Sequence, residues 1–466
     1  MRVSWPRPHH LSLFGRAGPL RSWLGGTVVG ALLVAGCVAP SRGTSPTTAA
    51  ATGLPTPTRE VLPNGVVLIV QEHRASDVVA LQLWMRVGGR DEAPAELGLS
   101  HYLEHMLFKG TASRPPGSID RLTEGFGGTS NAFTSYDFTH YDVVLPAEHL
   151  RAGLELLADI GVNASFPPSE IDGERQVVFE EMRLLEDDPD KFLVRRLSEV
   201  AFAGHPYGQP LLGTRELIQA LTRETLDRYY KKHYVPATMT LVVVGAVTPR
   251  QIRPIAEAVF GRLAERRATR PEVALAAPLT RVTTTEVPRA EEQAHLGLVW
   301  KAPAVSGSDS YAVDLLTYIL GDSPSSRLNQ AVRERDKLVY EIEAGYLPRE
   351  KGGIVTITCR LEGKNLDAAE RSILGVIRRV QAEGVTEAER QRAIITAESS
   401  YAFDIETAEG LAKAYGQAET TWALENEVRY LSRLREISAA EIQAAARKYF
   451  GDDNYARVRF VPRASR

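Results

Sequence analysis

Apolar positions along the chain recur with two periods. Leu81-Gln82-Leu83-Trp84 and Leu296-Gly297-Leu298-Val299 alternate as the two faces of a strand do, and every odd position of Val355-Thr356-Ile357-Thr358-Cys359-Arg360-Leu361 is apolar. Cys359 is therefore expected to pack inside a sheet rather than to react. Between Gly98 and Phe108 the apolar residues Leu99, Leu103, Met106 and Leu107 recur instead at helical spacing, which predicts a helix there.

These segments come in pairs. The strand at Leu81 matches that at Leu296 and Glu174-Arg175 matches Glu389-Arg390, both at an offset of 215 residues. His233-Tyr234, ahead of the strand Thr240 to Val244, matches Tyr449-Phe450, ahead of Ala456 to Phe460, at an offset of 216. One register across three anchors reads as an internal duplication. Each half runs strands, helix, strands, a long helical stretch and a final strand, so the expected class is α+β: two duplicated α/β-sandwich domains, each a mixed sheet packed with helices. The expected boundaries are residues 59–265 and 286–466, joined by a Pro- and Thr-rich linker over 266–285.

The first residues follow another logic. Arg2, Arg7, Arg16 and Arg21 precede the apolar run Trp23 to Gly36, which meets Cys37. This is a signal-peptide layout, and the run is shorter than the ~20 residues a spanning helix needs. Val34-Ala35-Gly36-Cys37 also resembles the lipobox of bacterial lipoproteins, in which the cysteine is acylated. Residues 1–36 are thus expected to be a signal peptide, and residues 37–58 a lipidated N-terminus followed by a flexible Ser-, Thr-, Pro- and Ala-rich leash. That implies an exported lipoprotein on the outer membrane or a periplasmic face, touching the membrane only through its anchor. With 55 Lys plus Arg against 58 Asp plus Glu, no global basic field would draw the chain to nucleic acid. Its two cysteines make no disulfide framework, so stability must come from the cores.

The chemistry concentrates at His101-Tyr102-Leu103-Glu104-His105. On a helix His101 and His105 lie one turn apart on one face, about 5 to 6 Å between Cβ atoms, close enough to share an ion. Glu104 can reach a water on that ion. Taken alone, the string also suits a helix with two surface histidines. A catalytic zinc takes three protein ligands, so a further His, Cys or carboxylate is required. Downstream, Glu174 and Glu181 lie seven residues apart on one helical face, with Glu180 turned about 100° away from Glu181.

With these residues the chain resembles the M16 (pitrilysin) family of zinc peptidases, whose inverted motif is His-x-x-Glu-His. The resemblance extends to Phe108-Lys109-Gly110-Thr111, Asn131-Ala132-Phe133-Thr134, His205-Pro206-Tyr207-Gly208 and Val242-Val243-Val244-Gly245. It implies that His101, His105 and Glu181 bind one zinc ion per chain, that Glu104 is the general base, and that Glu174 orients a ligand or the water network. It also implies that Asn131 and Ala132, on an edge strand, receive the substrate as an added strand. The second half carries Leu316, Ile319, Leu320 and Thr396 in place of the metal residues. It offers instead Arg333 and Tyr340, which match the family's pair for the substrate carbonyl; without the resemblance they are a charged helix end running into a strand. The expected function is a zinc endopeptidase acting on peptides or unfolded segments within a clamshell cavity. The expected assembly is a homodimer, with a heterodimer with a related chain left open. A non-catalytic peptide-binding or scaffolding subunit is the alternative, and the intact His101, Glu104, His105 and Glu181 argue against it.

Overall fold

The computed structural model describes residues 56–463. The expected signal peptide, Cys37 and the leash up to residue 55 lie outside the described residues. Among the described residues no helix is long and apolar enough to cross a membrane.

Two sheets organise the molecule. The first contains β1 (Thr58–Val61), β2 (Val67–Glu72), β3 (Val78–Met85), β4 (Thr129–Thr134), β5 (Thr139–Pro146) and β6 (Met239–Gly245), in the order β1-β2-β6-β3-β5-β4. The second contains β7 (Thr283–Arg289), β8 (Ala294–Ala302), β9 (Glu341–Leu347), β10 (Gly353–Leu361) and β11 (Tyr455–Pro462), in the order β7-β11-β8-β10-β9. Beyond the extra edge strand β1, the orders are identical, and in each sheet the same pair is parallel, β2 with β6 and β7 with β11. The registers agree as well. Gln82 of β3 lies between Val242 and Asp142, and its counterpart Gly297 of β8 lies between Val458 and Thr358. Both halves are mixed sheets packed with helices, as the alternating and helical patterns predicted. Cys359 is buried within β10.

The halves interlock more than a division along the sequence suggests. One face of the first sheet, with Leu81, Leu83 and Val143, packs on its own helices Leu99–Leu107 and Leu150–Asn163. The other face, with Ala80, Trp84 and Val242, is covered by Leu411, Ala412 and Tyr415 of the helix Ala408–Thr421, which belongs to the second half. Reciprocally, Leu193, Leu197 and Ala201 of the helix Pro189–Ala201 pack on Val299, Ala456 and Val458 of the second sheet. The close crossing needs a glycine: a Cβ at Gly416 would lie 2.0 Å from Nε1 of Trp84, a rigid ring that cannot step aside.

Charged groups fasten the junction. Arg90, 4% exposed, reaches Asp137 and Glu350 at 3.1 Å each, joining the halves. The irregular segment expected as the linker is held too, since Arg270 donates to both carboxylate oxygens of Asp91 at 2.9 and 3.1 Å and to Glu350 at 2.9 Å. With every buried charge paired, the network avoids the cost of an isolated ion and fixes one arrangement of the two sheets.

Candidate metal centre

The helix Leu99–Leu107 is buried along its whole length because its apolar residues Leu99, Leu103, Met106 and Leu107 face the core under the first sheet. It starts at Gly98, whose φ of 92° lies in the left-handed region, and a Cβ there would meet the carbonyl oxygen of Leu212 at 2.7 Å. No side chain at that first position caps the helix. Glu92 does so from the preceding loop, accepting from the Gly98 and Ser100 amides at 2.8 and 2.7 Å.

On this helix the His101 and His105 rings stand 4.8 Å apart, inclined by 67°. The helix Pro168–Asp187 runs past them and delivers both glutamates of its inner face. Oε2 of Glu181 lies 3.3 Å from Nε2 of His101 and 3.3 Å from Nε2 of His105. This oxygen is buried and has no hydrogen-bond partner. A tetrahedral site with bonds of about 2.0 to 2.1 Å separates its ligand atoms by about 3.3 to 3.4 Å. Each imidazole nitrogen therefore lies from the carboxylate oxygen at the spacing a zinc-sized ion requires, the three ligand atoms all lie within 4.8 Å of one another, and among the described residues they form the one such group of His, Cys, Asp and Glu side chains.

The electrostatics fit a cation as well. Burial, followed by the neighbouring His105, pushes His101 well below its usual range, leaving a neutral imidazole with a lone pair to give. Burial also opposes a charge on His105, but Glu174 and Glu181 outweigh it and hold that ring up at about 10. The cluster thus demands positive charge near His105, and an ion can supply what a proton otherwise would. Glu174 accepts from Nδ1 of His105 at 2.8 Å and pairs with Lys109 at 2.6 Å. Burial alone would raise the Glu174 carboxyl; these two partners bring it below its usual range. It can therefore fix the His105 tautomer while Nε2 faces the ligand cluster. Glu104 is buried beside the cluster, where loss of water pushes its carboxyl up to about 7 against the pull of His105 and Thr134.

The remaining expected site residues fall in two places. Asn131 and Ala132 lie on β4, an edge strand of the first sheet packed against the helix Leu99–Leu107. Their side chains take opposite faces: Ala132 pairs with Tyr141 on the face toward that helix, and Asn131 pairs with Asp142 on the other. Arg333 and Tyr340 are not brought to the cluster within this chain. They line an open cavity of about 430 Å³ with Lys337, Glu362 and Asn365, where the Tyr340 hydroxyl donates to Glu362 at 3.4 Å. Arg333 sits in the wide helical turn Asn329–Arg335 and Tyr340 immediately before β9, as the charged helix end and strand predicted. Leu316, Ile319 and Leu320 are buried on the helix Ser310–Gly321, in the place of His101, Glu104 and His105.

Two supporting residues escaped the sequence reading. Glu92 is a loop residue six positions ahead of the amide it caps, so no periodicity marks it. Lys109 was visible only as part of Phe108-Lys109-Gly110-Thr111, with nothing in that string to say it would grip Glu174.

Comparison with known proteins agrees with this architecture. A family model described as insulinase (peptidase family M16) matches residues 67–215, and a second, described as the peptidase M16 inactive domain, matches residues 220–396. The uncharacterized zinc protease YmxG of Bacillus subtilis is 30% identical over 395 residues, covering 84% of this chain and 95% of that protein. The zinc protease PqqE of Helicobacter pylori is 25% identical, covering 86% and 92%. A crystal structure of a protease from Helicobacter pylori superposes with a TM-score of 0.83 at 24% identity, over 88% of this chain and all of the other. The two models together match most of the chain, and so the chain belongs to peptidase family M16.

Proposed function

We propose that this protein is a zinc-dependent endopeptidase. The observation that carries the reading is the convergence of His101 Nε2, His105 Nε2 and the unpartnered Glu181 Oε2, with the Glu104 carboxyl buried beside them. Zinc is the metal of choice because the donor set is two imidazoles and one carboxylate, and because YmxG and PqqE are both named zinc proteases. When bound, zinc supplies a positive centre that acidifies water and polarises a carbonyl.

The chain's own residues do the rest. Glu104, its carboxyl lifted to about 7, takes a proton from the attacking water and returns it to the leaving amine. Glu174 and Lys109 hold His105 in one orientation. The free edge of β4 takes the peptide as an added strand, so recognition falls first on the backbone. The Arg333 guanidinium and the Tyr340 hydroxyl steady the carbonyl as it gains negative charge. Since these two line a cavity apart from the metal residues of their own chain, the reading includes a homodimer in which one subunit's pair serves the other's metal.

The test is metal content and peptide turnover of the protein beside Glu104→Gln. The variant should bind zinc normally and lose turnover by about 10²- to 10⁴-fold. Full activity in that variant would remove Glu104 from the chemistry. Shared sites predict complementation: Glu104→Gln chains mixed with Arg333→Ala/Tyr340→Phe chains should recover roughly a quarter of wild-type sites after random exchange into closed dimers. Demonstrated exchange without recovery would place the pair outside a shared site.

A further inference from the structure

Arg333 and Tyr340 stand on different elements, and the backbone between them is unusual. The turn Asn329–Arg335 is wider than an α-helix, since the Asp336 amide donates to the carbonyl of Ala331, five residues back, at 3.0 Å. Lys337 then turns the chain with a φ of 53°, a left-handed conformation that residues other than glycine rarely adopt. The Leu338 carbonyl accepts from the Asn365 side chain at 3.2 Å, and the Tyr340 amide donates to the Arg360 carbonyl of β10 at 2.8 Å. A wide turn and a left-handed lysine this close together are strained backbone, which persists only where the surroundings hold it in place.

Asn329 supplies much of that hold. It is buried, and its side-chain amide donates to the Ser326 hydroxyl at 3.1 Å and to the Ile342 carbonyl at 3.3 Å. Ile342 lies in β9, two residues past Tyr340, so one side chain bridges the turn that bears Arg333 to the strand that follows Tyr340. The first half builds the same place differently. Ahead of its edge strand β4 stands the helix Ser118–Gly125, where the Phe126 amide donates to Leu122, four residues back, at 3.0 Å, and the left-handed residue that follows is Gly127. The hydroxyls of that helix stay within their own segment, Ser118 on the Pro115 carbonyl and Thr123 on that of Ile119. Asn131 opposite Asp142 corresponds to Glu343 opposite Thr358, so Gly128 stands where the second half has Tyr340. The tie from the turn to the edge strand thus accompanies the tyrosine.

We propose that Asn329 is a positioning residue for Arg333 and Tyr340. By fixing the wide turn against β9 it holds the guanidinium and the phenol hydroxyl at one separation across the open cavity they line. Their other side-chain partners hold them loosely: Arg333 lies 3.6 Å from Glu334, and the Tyr340 hydroxyl 3.4 Å from Glu362. The proposal rests on the peptidase reading, in which both groups steady the substrate carbonyl, and it names what sets their spacing. That spacing matters because a misplacement of about 1 Å can cost about 10²-fold in rate.

The experiment is a double-mutant cycle on the full chain, with fluorescein-labelled casein as an unfolded substrate. Asn329→Ser should lower kcat about tenfold and leave KM and zinc content unchanged, since it displaces groups that act as the carbonyl gains charge. In an Arg333→Ala/Tyr340→Phe background, which has nothing left to position, the same substitution should change the residual turnover by less than about twofold. An undiminished loss in that background makes Asn329 a structural residue and overturns the proposal with the peptidase reading intact, and so does full turnover in Asn329→Ser. If circular dichroism shows Asn329→Ser unfolded, Asn329→Gln is read in the same cycle, because it keeps an amide at the site but lengthens its reach by one methylene. A crystal structure of the folded variant gives a readout independent of activity: the Arg333 and Tyr340 side chains should have moved relative to one another. If the wild type cleaves nothing and the pair has moved, the peptidase reading falls and the positioning stands. If the pair has not moved, the positioning falls whatever the turnover.

Discussion

The helices Leu99–Leu107 and Ser310–Gly321 occupy equivalent places against sheets of the same strand order, yet one carries His101, Glu104 and His105 and the other Leu316, Ile319 and Leu320. All six are largely or fully buried. The second half shows that the fold needs no polar group at these positions, since apolar side chains fill them without unsatisfied atoms. In the first half the same places hold ionisable groups that burial penalises and an ion would compensate. The difference marks the first cluster as one that the shared fold does not require and that is held at some expense in stability.

The most drastic way to break the comparison is to make the first half resemble the second. The variant His101→Leu/Glu104→Ile/His105→Leu/Glu181→Thr should bind no zinc and show no turnover, while keeping its far-ultraviolet circular dichroism. Measured in chelator, it should unfold at higher denaturant than the wild type, because replacing buried ionic groups by apolar ones often adds about 1 to 4 kcal/mol. A variant that fails to fold would mean that the cluster is structural after all.

A finer comparison concerns Glu174 and its counterpart Glu389. Glu174 reaches His105 and Lys109, next to the candidate metal ligands, whereas Glu389 holds Arg327 at 2.7 and 2.8 Å and caps the start of its own helix by accepting from the Thr386 amide at 2.8 Å. One position on one duplicated helix thus does two jobs according to its neighbours. Glu174→Gln should weaken zinc binding by about 10- to 100-fold, read by competition with a chelator, because His105 loses the charged acceptor that fixes its ring. Glu389→Gln should leave zinc affinity unchanged. Equal effects of the two would dissolve the distinction.

Much of this was legible in the sequence because the fold repeats. Alternation at Leu81 and Leu296 marked the central strands β3 and β8, and helical spacing around His101 and His105 put both rings on one face. Two of the candidate metal ligands were accessible because they lie on one helix, while the third, Glu181, came from the family resemblance, helix phase showing only that it shares a face with Glu174. What periodicity cannot carry is contact between halves. The packing of Ala408–Thr421 on the first sheet depends on Gly416, where a Cβ would lie 2.0 Å from Trp84, and glycines of no consequence look the same in the sequence. Glu92 and Arg270 act from irregular segments, where side-chain direction follows no period. Arg333 and Tyr340 could be named from resemblance, but the cavity they line with Lys337, Glu362 and Asn365 is a property of the folded second half.

The smallest expected effect isolates the second half. Arg327, by its paired hydrogen bonds, holds the Glu389 carboxyl down at about 2, although partial burial acts in the opposite direction. In the unfolded chain a glutamate titrates near about 4.3. Between these values the unfolded state binds the extra proton, so the stabilisation by Glu389 is complete above about pH 5 and disappears as pH falls through 4 toward 2. Solvent still reaches this partly buried pair and screens it, which reduces its worth to about 1 kcal/mol at neutral pH. Urea unfolding of the wild type and Glu389→Gln should therefore show a gap of that order at pH 7 that closes by pH 2.5. Arg327→Leu should show the same closing, because the depressed titration needs both partners. A gap that persists in acid would mean that Glu389 stabilises the helix by the neutral cap on Thr386 alone, and the electrostatic contrast with Glu174 would then rest on the first half only.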